Sequence, residues 1–220
     1  MKIELAENVT LIQGDCRDYL STLSGISAVI TDHPYNAGKK YSEHCDDKMS
    51  DKQYADWCSS VVGESLKLCA RQFWVWPRYK LELGLSLLPN AHLVVIRRGA
   101  SGPFRQGWSD QFEICLACGK PVKCRPDLWS DIRLKGEGYF FRENTYGHTG
   151  YTPSKIFERA ISIMCSPGDT IVDPFMGTGT SGVNAIRAGV KYIGIESGEH
   201  WFRVAKERIE KELQQQLLPL

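Results

Sequence analysis

Residues 170–182, TIVDPFMGTGTSG, constrain this chain more than any other stretch. A short apolar run, Thr170 to Val172, ends in an acid, Asp173. A turn follows with Gly177, Gly179 and Gly182 at G-x-G-x-x-G spacing, then a helix-like segment to Ala188. The pattern predicts strand, glycine loop and helix. Glycines suit such a loop because the backbone turns sharply and exposes amides that a side chain would cover. A second run, Lys191 to Glu196 (KYIGIE), ends in an acid nineteen residues after Gly177, where a carboxylate would meet ribose hydroxyls.

The charge beside the loop narrows the ligand. A dinucleotide would set its pyrophosphate against Asp173, and each such pair of like charges costs on the order of 3 kcal/mol at about 5 Å and an effective dielectric near 20. A ligand with a cationic amino acid end and a sulfonium is stabilised by the same carboxylate. The loop therefore favours S-adenosylmethionine over a nicotinamide dinucleotide.

The 220 residues, 42% of them hydrophobic, suffice for one α/β domain. Net charge is only +1, but residues 71–147 hold twelve Lys/Arg against seven Asp/Glu. A basic middle can meet phosphates or simply form a solvated face. Eight cysteines without a framework spacing, no secretory signal and no run long enough to span a membrane predict a reduced, cytoplasmic protein.

In chain order, Thr10 to Gly14 reads as a strand closing on Asp15, and Asp18 to Leu23 as a brief amphipathic helix. Ile26 to Thr31 is continuously apolar and β-branched, as a strand buried on both faces should be. It runs directly into Asp32-His33-Pro34-Tyr35. Residues 36–50, with Gly38, Lys39 and Lys40, read as a mobile polar loop, and Ser50 as the N-cap of a helix to about Arg71. Phe73 to Trp76, Leu93 to Ile96 and Phe112 to Ala117 are further strands, and residues 121–150 look irregular. Helices are expected at Ser154 to Cys165 and from Glu199 to about Gln215. This alternation predicts a doubly wound, mostly parallel sheet with the glycine-loop unit late in the chain, a permuted order.

If the strand ending at Asp32 lies beside the one ending at Asp173, about 4.8 Å away, the DHPY turn faces the donor crevice. Asp32 can accept one N–H of an exocyclic amine and the His33 carbonyl the other, while Tyr35 stacks on the ring. These acceptors free the nitrogen lone pair for in-line attack on a methyl group. A base within a duplex reaches such a site only by flipping out.

With these motifs on the page, the chain resembles a β-class DNA amino-methyltransferase. LIQGD, VITDHPYN, FEICLACGK, the DLW at Asp127 to Trp129, PGD, DPFMGTGTSG, YIGIE and KER follow one another in family order over essentially the whole chain. The resemblance implies a seven-stranded sheet of Rossmann-like type with a catalytic half (1–98), a small target-recognition region (99–147) and a donor half (148–220). It implies that Asp173, Pro174, Phe175, Gly177, Gly179 and Thr180 hold the amino acid part of S-adenosylmethionine. Glu196 matches the ribose-binding acid and Asp15 the residue near adenine, while Asp32, His33, Pro34 and Tyr35 match the catalytic turn.

Two positions depart from the family pattern: His33 replaces the usual proline, and Thr152, within HTGYTP at His148 to Pro153, stands where relatives often have lysine. Among similar proteins Asp at the first position of the turn goes with adenine N6 and Ser with cytosine N4, so the resemblance favours adenine for Asp32. Cytosine methylation, or a homologue that binds but does not catalyse, are the alternatives. Double-stranded DNA is the implied partner, no membrane is expected, and a homodimer is left open. Lys39, Lys40, Arg97, Arg98 and Arg105 are the candidate DNA contacts, with Arg125, Arg133 and Arg142 behind them. Phe104, Trp108 and Tyr146 could stack on an extruded base. Cys115-x-x-Cys118 has the spacing of half a zinc site, but strand alternation sends the two thiols to opposite faces, so no metal is expected.

Overall fold

A computed structural model describes residues 1–38, 40–42, 45–97, 112–130, 132 and 152–216. Candidate residues Lys39, Arg98, Phe104, Arg105, Trp108, Arg133, Arg142 and Tyr146, and most of the 99–147 region, lie outside the described residues.

The strands are β1 (Lys2–Ala6), β2 (Val9–Gln13), β3 (Ala28–Asp32), β4 (Lys40–Ser42), β5 (Cys45–Asp46), β6 (Arg71–Trp76), β7 (His92–Arg97), β8 (Phe112–Cys118), β9 (Leu128–Trp129), β10 (Thr170–Asp173) and β11 (Lys191–Glu196). The helices are α1 (Asp51–Leu68), α2 (Leu81–Leu87), α3 (Ser154–Met164), α4 (Thr180–Arg187) and α5 (Glu199–Gln216). Nine strands form one sheet in the order β1-β2-β11-β10-β3-β6-β8-β7-β9, and β4 pairs with β5 in a separate hairpin. From β2 to β6 all neighbours are parallel, whereas β8 runs antiparallel between β6 and β7. The doubly wound α/β sheet is therefore as expected, and the seven strands gain β1 and the two-residue β9 at the edges.

Both additions escape sequence reading for a reason. Strand β1 (KIELA) is only half buried and carries charges, and β9 is too short to show a period. Helix α2 hides behind Gly84, which reads as a breaker. That glycine is required because a Cβ there would sit 2.7 Å from the Trp76 indole and 2.5 Å from Leu116.

Two expectations need correcting. The segment from Asp18 to Leu23 is not an amphipathic helix but part of two 3-10 turns, Cys16–Asp18 and Leu20–Thr22, because Tyr19 breaks the run with φ −115°. The stretch after Tyr35 is not an untethered polar loop. Asn36 pairs with Met49 through both its amide nitrogen and oxygen, and the buried Asp47 accepts from the Asn36 and Ala37 amides.

Alternation along β6 divides the core. Phe73 and Val75 enter one apolar layer with β10, α3, α4 and α5, while Trp74 and Trp76 enter the other with α1 and α2. Trp57, Trp74 and Trp76 are thus core residues, as expected. Cys115 and Cys118 fall in different layers, on opposite faces of the sheet. Ser50 caps α1 in a reciprocal capping box with Gln53. The apolar stripe of α5 (Phe202, Ala205, Ile209) packs on its own sheet. No described helix is long and apolar enough to cross a membrane.

Strand β11 leaves no room for a side chain at Gly194, where a Cβ would lie 2.5 Å from Met176 Sδ and 2.7 Å from the Tyr192 ring. Gly194→Ala should therefore cost about 1–3 kcal/mol by overpacking, read as a lower urea midpoint with unchanged m.

Candidate active site

The strand order reverses between β3 and β10, since β3 leads outward to β6 while β10 leads the other way to β11. A crevice at the carboxyl ends of such strands is where open α/β sheets take ligands. Four adjacent parallel strands, β2, β11, β10 and β3, run into an acid there: Asp15, Glu196, Asp173 and Asp32. The sequence candidates for the turn and the donor loop are thereby brought to one edge.

Asp173 is nearly inaccessible, at 1% exposure. Its oxygens accept from Thr31 Oγ1 (2.5 Å), Ser181 Oγ (2.5 Å) and the Phe175 amide (3.0 Å). Ser181 in turn meets the Tyr192 hydroxyl at 2.9 Å. The carboxylate so braces the glycine loop from within. Glu196 accepts from the Gly177 amide (3.0 Å) and the Gly198 amide (2.7 Å). Gly177 and Gly179 have φ of 49° and 79°, a left-handed backbone that glycine adopts without strain. Gly182 allows close helix packing: a Cβ would stand 2.7 Å from Ile209 and 2.8 Å from Tyr192. Pro174 and Thr180 are buried in the loop, while Phe175 is half-buried with its ring 5.4 Å from that of Trp57. Asp15 pairs with Arg17 (2.6 Å), which holds its carboxyl below the usual range, and the adjacent Gly14 amide bonds the Glu196 carbonyl.

Three of these acids are pushed the other way. Burial raises Asp32 to about 7, Asp173 to about 6 and Glu196 to about 7, and Asp173 further raises the other two by repulsion. Among the described residues, the hydrogen bonds to these three carboxyls come from neutral hydroxyls and amides. Such an edge suits a ligand that brings positive charge and disfavours a second anion.

Asp32 accepts from Thr152 Oγ1 through its Oδ2, and the Tyr35 phenol also favours its ionised form. Its Oδ1 is buried with no partner among the described residues. Buried carboxylate oxygens left bare are costly and rare, so this one marks a place for an incoming donor.

The His33 ring points into the aromatic layer beneath the turn. It is 3% exposed, 4.3 Å from Trp76 and stacked with Tyr54 and Trp57. Burial lowers it to about 3, so it is neutral at physiological pH and serves as no base. The Tyr54 hydroxyl lies 3.0 Å from His33 Nε2 and donates to the Pro34 carbonyl at 2.9 Å. The turn is thus pinned from below by α1. Tyr35 is partly buried, edge-on to His33.

Sequence reasoning missed Thr31, Ser181, Tyr54, Thr152 as a partner of Asp32, and Arg208. Arg208 on α5 reaches the loop through Thr178 and Thr180 (2.5–3.2 Å). Only the KER motif hinted at it. Among the DNA candidates, Arg97 is exposed at the carboxyl end of β7, and Lys40 belongs to β4.

A family model described as DNA methylase matches residues 120–207. The putative methylase YubD of Escherichia coli (strain K12) is 25% identical over 90% of this chain and 88% of its own length. The Type II methyltransferase M2.LlaDCHI of Lactococcus lactis subsp. cremoris is 44% identical over 42% of this chain, but the match spans only 32% of that protein. Among solved structures, the M1.HpyAVI–SAM complex aligns with TM-score 0.68 at 18% identity, over 91% of this chain and 98% of that one. The cytosine-N4-specific PvuII DNA methyltransferase aligns with TM-score 0.70 at 16% identity, over 96% and 91%. Residues 120–207 thus match the DNA methylase family, and the chain shares its fold with solved DNA methyltransferases. Its family-matched span takes in the glycine loop, Glu196 and the first half of α5.

The raised carboxyl of Asp32 sets a pH test. Its folded value lies above the ordinary one near 4, so ionisation between about pH 4 and 7 costs the folded state stability. Asp32→Asn should be more stable than the parent at pH 8.5 by about 2–4 kcal/mol, and the gain should fade by pH 4–5. Urea unfolding at the two pH values measures it.

Proposed function

We propose that the chain transfers a methyl group from S-adenosylmethionine to the exocyclic amino group of a base flipped from double-stranded DNA, with adenine N6 as the target. The observation that carries this reading is the bare, buried Oδ1 of Asp32 at the point where the strand order reverses. An amine N–H supplies the missing donor, and the neighbouring His33 carbonyl is the second acceptor.

The donor fits the chain's own residues. S-adenosylmethionine supplies an electrophilic methyl on a sulfonium and an ammonium beside it, the positive charge that Asp173 and Glu196 lack. Gly177, Gly179, Thr180, Pro174 and Phe175 would hold its amino acid end, Glu196 its ribose and Asp15 its adenine. A binding ligand with that charge lowers the raised carboxyls toward their ionised forms.

Asp32 and the turn then orient the amine and draw hydrogen-bond density from it, so its lone pair faces the methyl. After transfer the nitrogen carries an extra proton, and Asp32, ionised and adjacent, is placed to receive it. Tyr35 supports the base and keeps Asp32 charged. His33 contributes only its carbonyl, because its ring is neutral and buried. The departure from proline at this position is therefore compatible with catalysis.

The division into a catalytic half (1–98) and a donor half (148–220) follows from the same assignment. Arg97, with Lys39, Lys40, Arg98 and Arg105, would meet phosphates or base edges. A cleft lined by Arg125, Trp129, Lys155 and Arg159 has the charge to track the backbone beside the base. Adenine is favoured by the acid at the first position of the turn, and cytosine N4 is the second reading.

The test uses labelled donor, DNA and nucleoside digestion. Label should appear in N6-methyladenine, and label in N4-methylcytosine alone would reassign the base. Asp32→Ala should retain donor binding by calorimetry and lose transfer by at least about 100-fold. Near-normal transfer by that variant would remove Asp32 from the mechanism.

A further inference from the structure

Asp32 is held from a distance of 120 residues in sequence by the hydroxyl of Thr152, which accounts for its Oδ2. Thr152 directly precedes a tied helix start. Pro153 follows it at φ −55° and caps α3, with the Ile156 amide on the Pro153 carbonyl at 3.0 Å. Ser154 then meets Asn184, whose amide also bonds the Thr180 carbonyl, both at 2.8 Å. The start of α3 is thus tied to the first turn of α4, directly behind the glycine loop.

We propose that Thr152 is a positioning residue for Asp32: its hydroxyl holds the carboxylate ionised and turned so that Oδ1 alone is left for the target amine. This rests on the reading of Asp32 as the acceptor of that amine. The alternative orientation, with both oxygens exchanging between partners, would leave the acceptor direction undefined. Because Thr152 is anchored beside the donor loop, the acceptor is fixed relative to the methyl donor rather than to the flexible side chain of Asp32 alone.

The groups around Asp32 define the sign of the effect. Asp173 on β10, Glu113 and Cys115 on β8, and Tyr35 in the turn are the titratable groups whose charges couple to it. Burial and the acids oppose ionisation, and the two hydroxyls support it. A hydroxyl that donates to a carboxylate favours the charged form, so its removal moves titration upward. The ionised acceptor is also the stronger one for an amine N–H.

Thr152→Val keeps shape and removes the hydroxyl, Thr152→Ser keeps the hydroxyl, and Thr152→Ala removes hydroxyl and bulk together. The Asp32 carboxyl is followed by carbon-13 NMR in aspartate-labelled protein, assigned by its loss in Asp32→Asn. In the Val and Ala variants it should titrate about one pH unit higher than in the parent, with the Ser variant restored. The acid limb of kcat against pH should move by the same amount, while the Kd for S-adenosylmethionine stays within about twofold. A parental titration curve in a folded Val or Ala variant would overturn the proposal. Absence of methyl transfer by the parent would instead defeat the functional reading, and the NMR shift would still decide the role of Thr152.

Discussion

The hydrogen bond from Thr31 to Asp173 ties together the ends of two neighbouring strands, and the rest of the crevice is built on it. Strands β3 and β10 come from opposite parts of the chain, yet they pair in parallel, Ala28 against Ile171 and Val29 against Val172. That register sets the end of one strand beside the end of the other. A buried carboxylate is tolerable only when donors surround it. Asp173 finds them in Thr31, Ser181 and its own loop at Phe175. Since Thr31 immediately precedes Asp32, the same contact that satisfies one acid sets the backbone that presents the other. Charge, register and turn geometry are therefore one problem with one solution.

The second constraint acts from below. A turn that projects an acceptor into a crevice needs a stiff base, and here the stiffness comes from aromatic packing. His33, Tyr54, Trp57, Trp74 and Trp76 share one cluster, with Tyr54 bridging to the Pro34 carbonyl. Proline would restrain the chain through its ring closure. Histidine reaches a comparable end through burial and a hydrogen bond, at the cost of leaving Nδ1 without a well-formed partner. On the glycine-loop side, Arg208 and the close approach of Gly179 to Ala205 couple the loop to α5.

Local signals carried much of the fold. The apolar run before Asp32, the glycine spacing after Asp173 and the acid at Glu196 each report a strand end or a sharp turn, and these features depend on neighbouring residues only. The Ser50 capping box and the stripe on α5 were legible for the same reason. Strand β1 and helix α2 were not, because a half-buried edge strand and a glycine packed against tryptophan mimic loop. The tethering of the stretch after Tyr35 was equally hidden, since Asp47 and Met49 act on Asn36 across a hairpin.

By itself, then, the sequence determined a doubly wound α/β chain with two motif-bearing strand ends, because backbone turns and strand burial are written in short-range residue patterns. Only the tertiary structure decided what each polar side chain does there. Asp173 serves as an internal brace, His33 turns into the core, and Thr152 reaches Asp32. Those outcomes depend on which hydroxyls and rings arrive from distant elements, and hydrogen bonds over such separations leave no period in the chain.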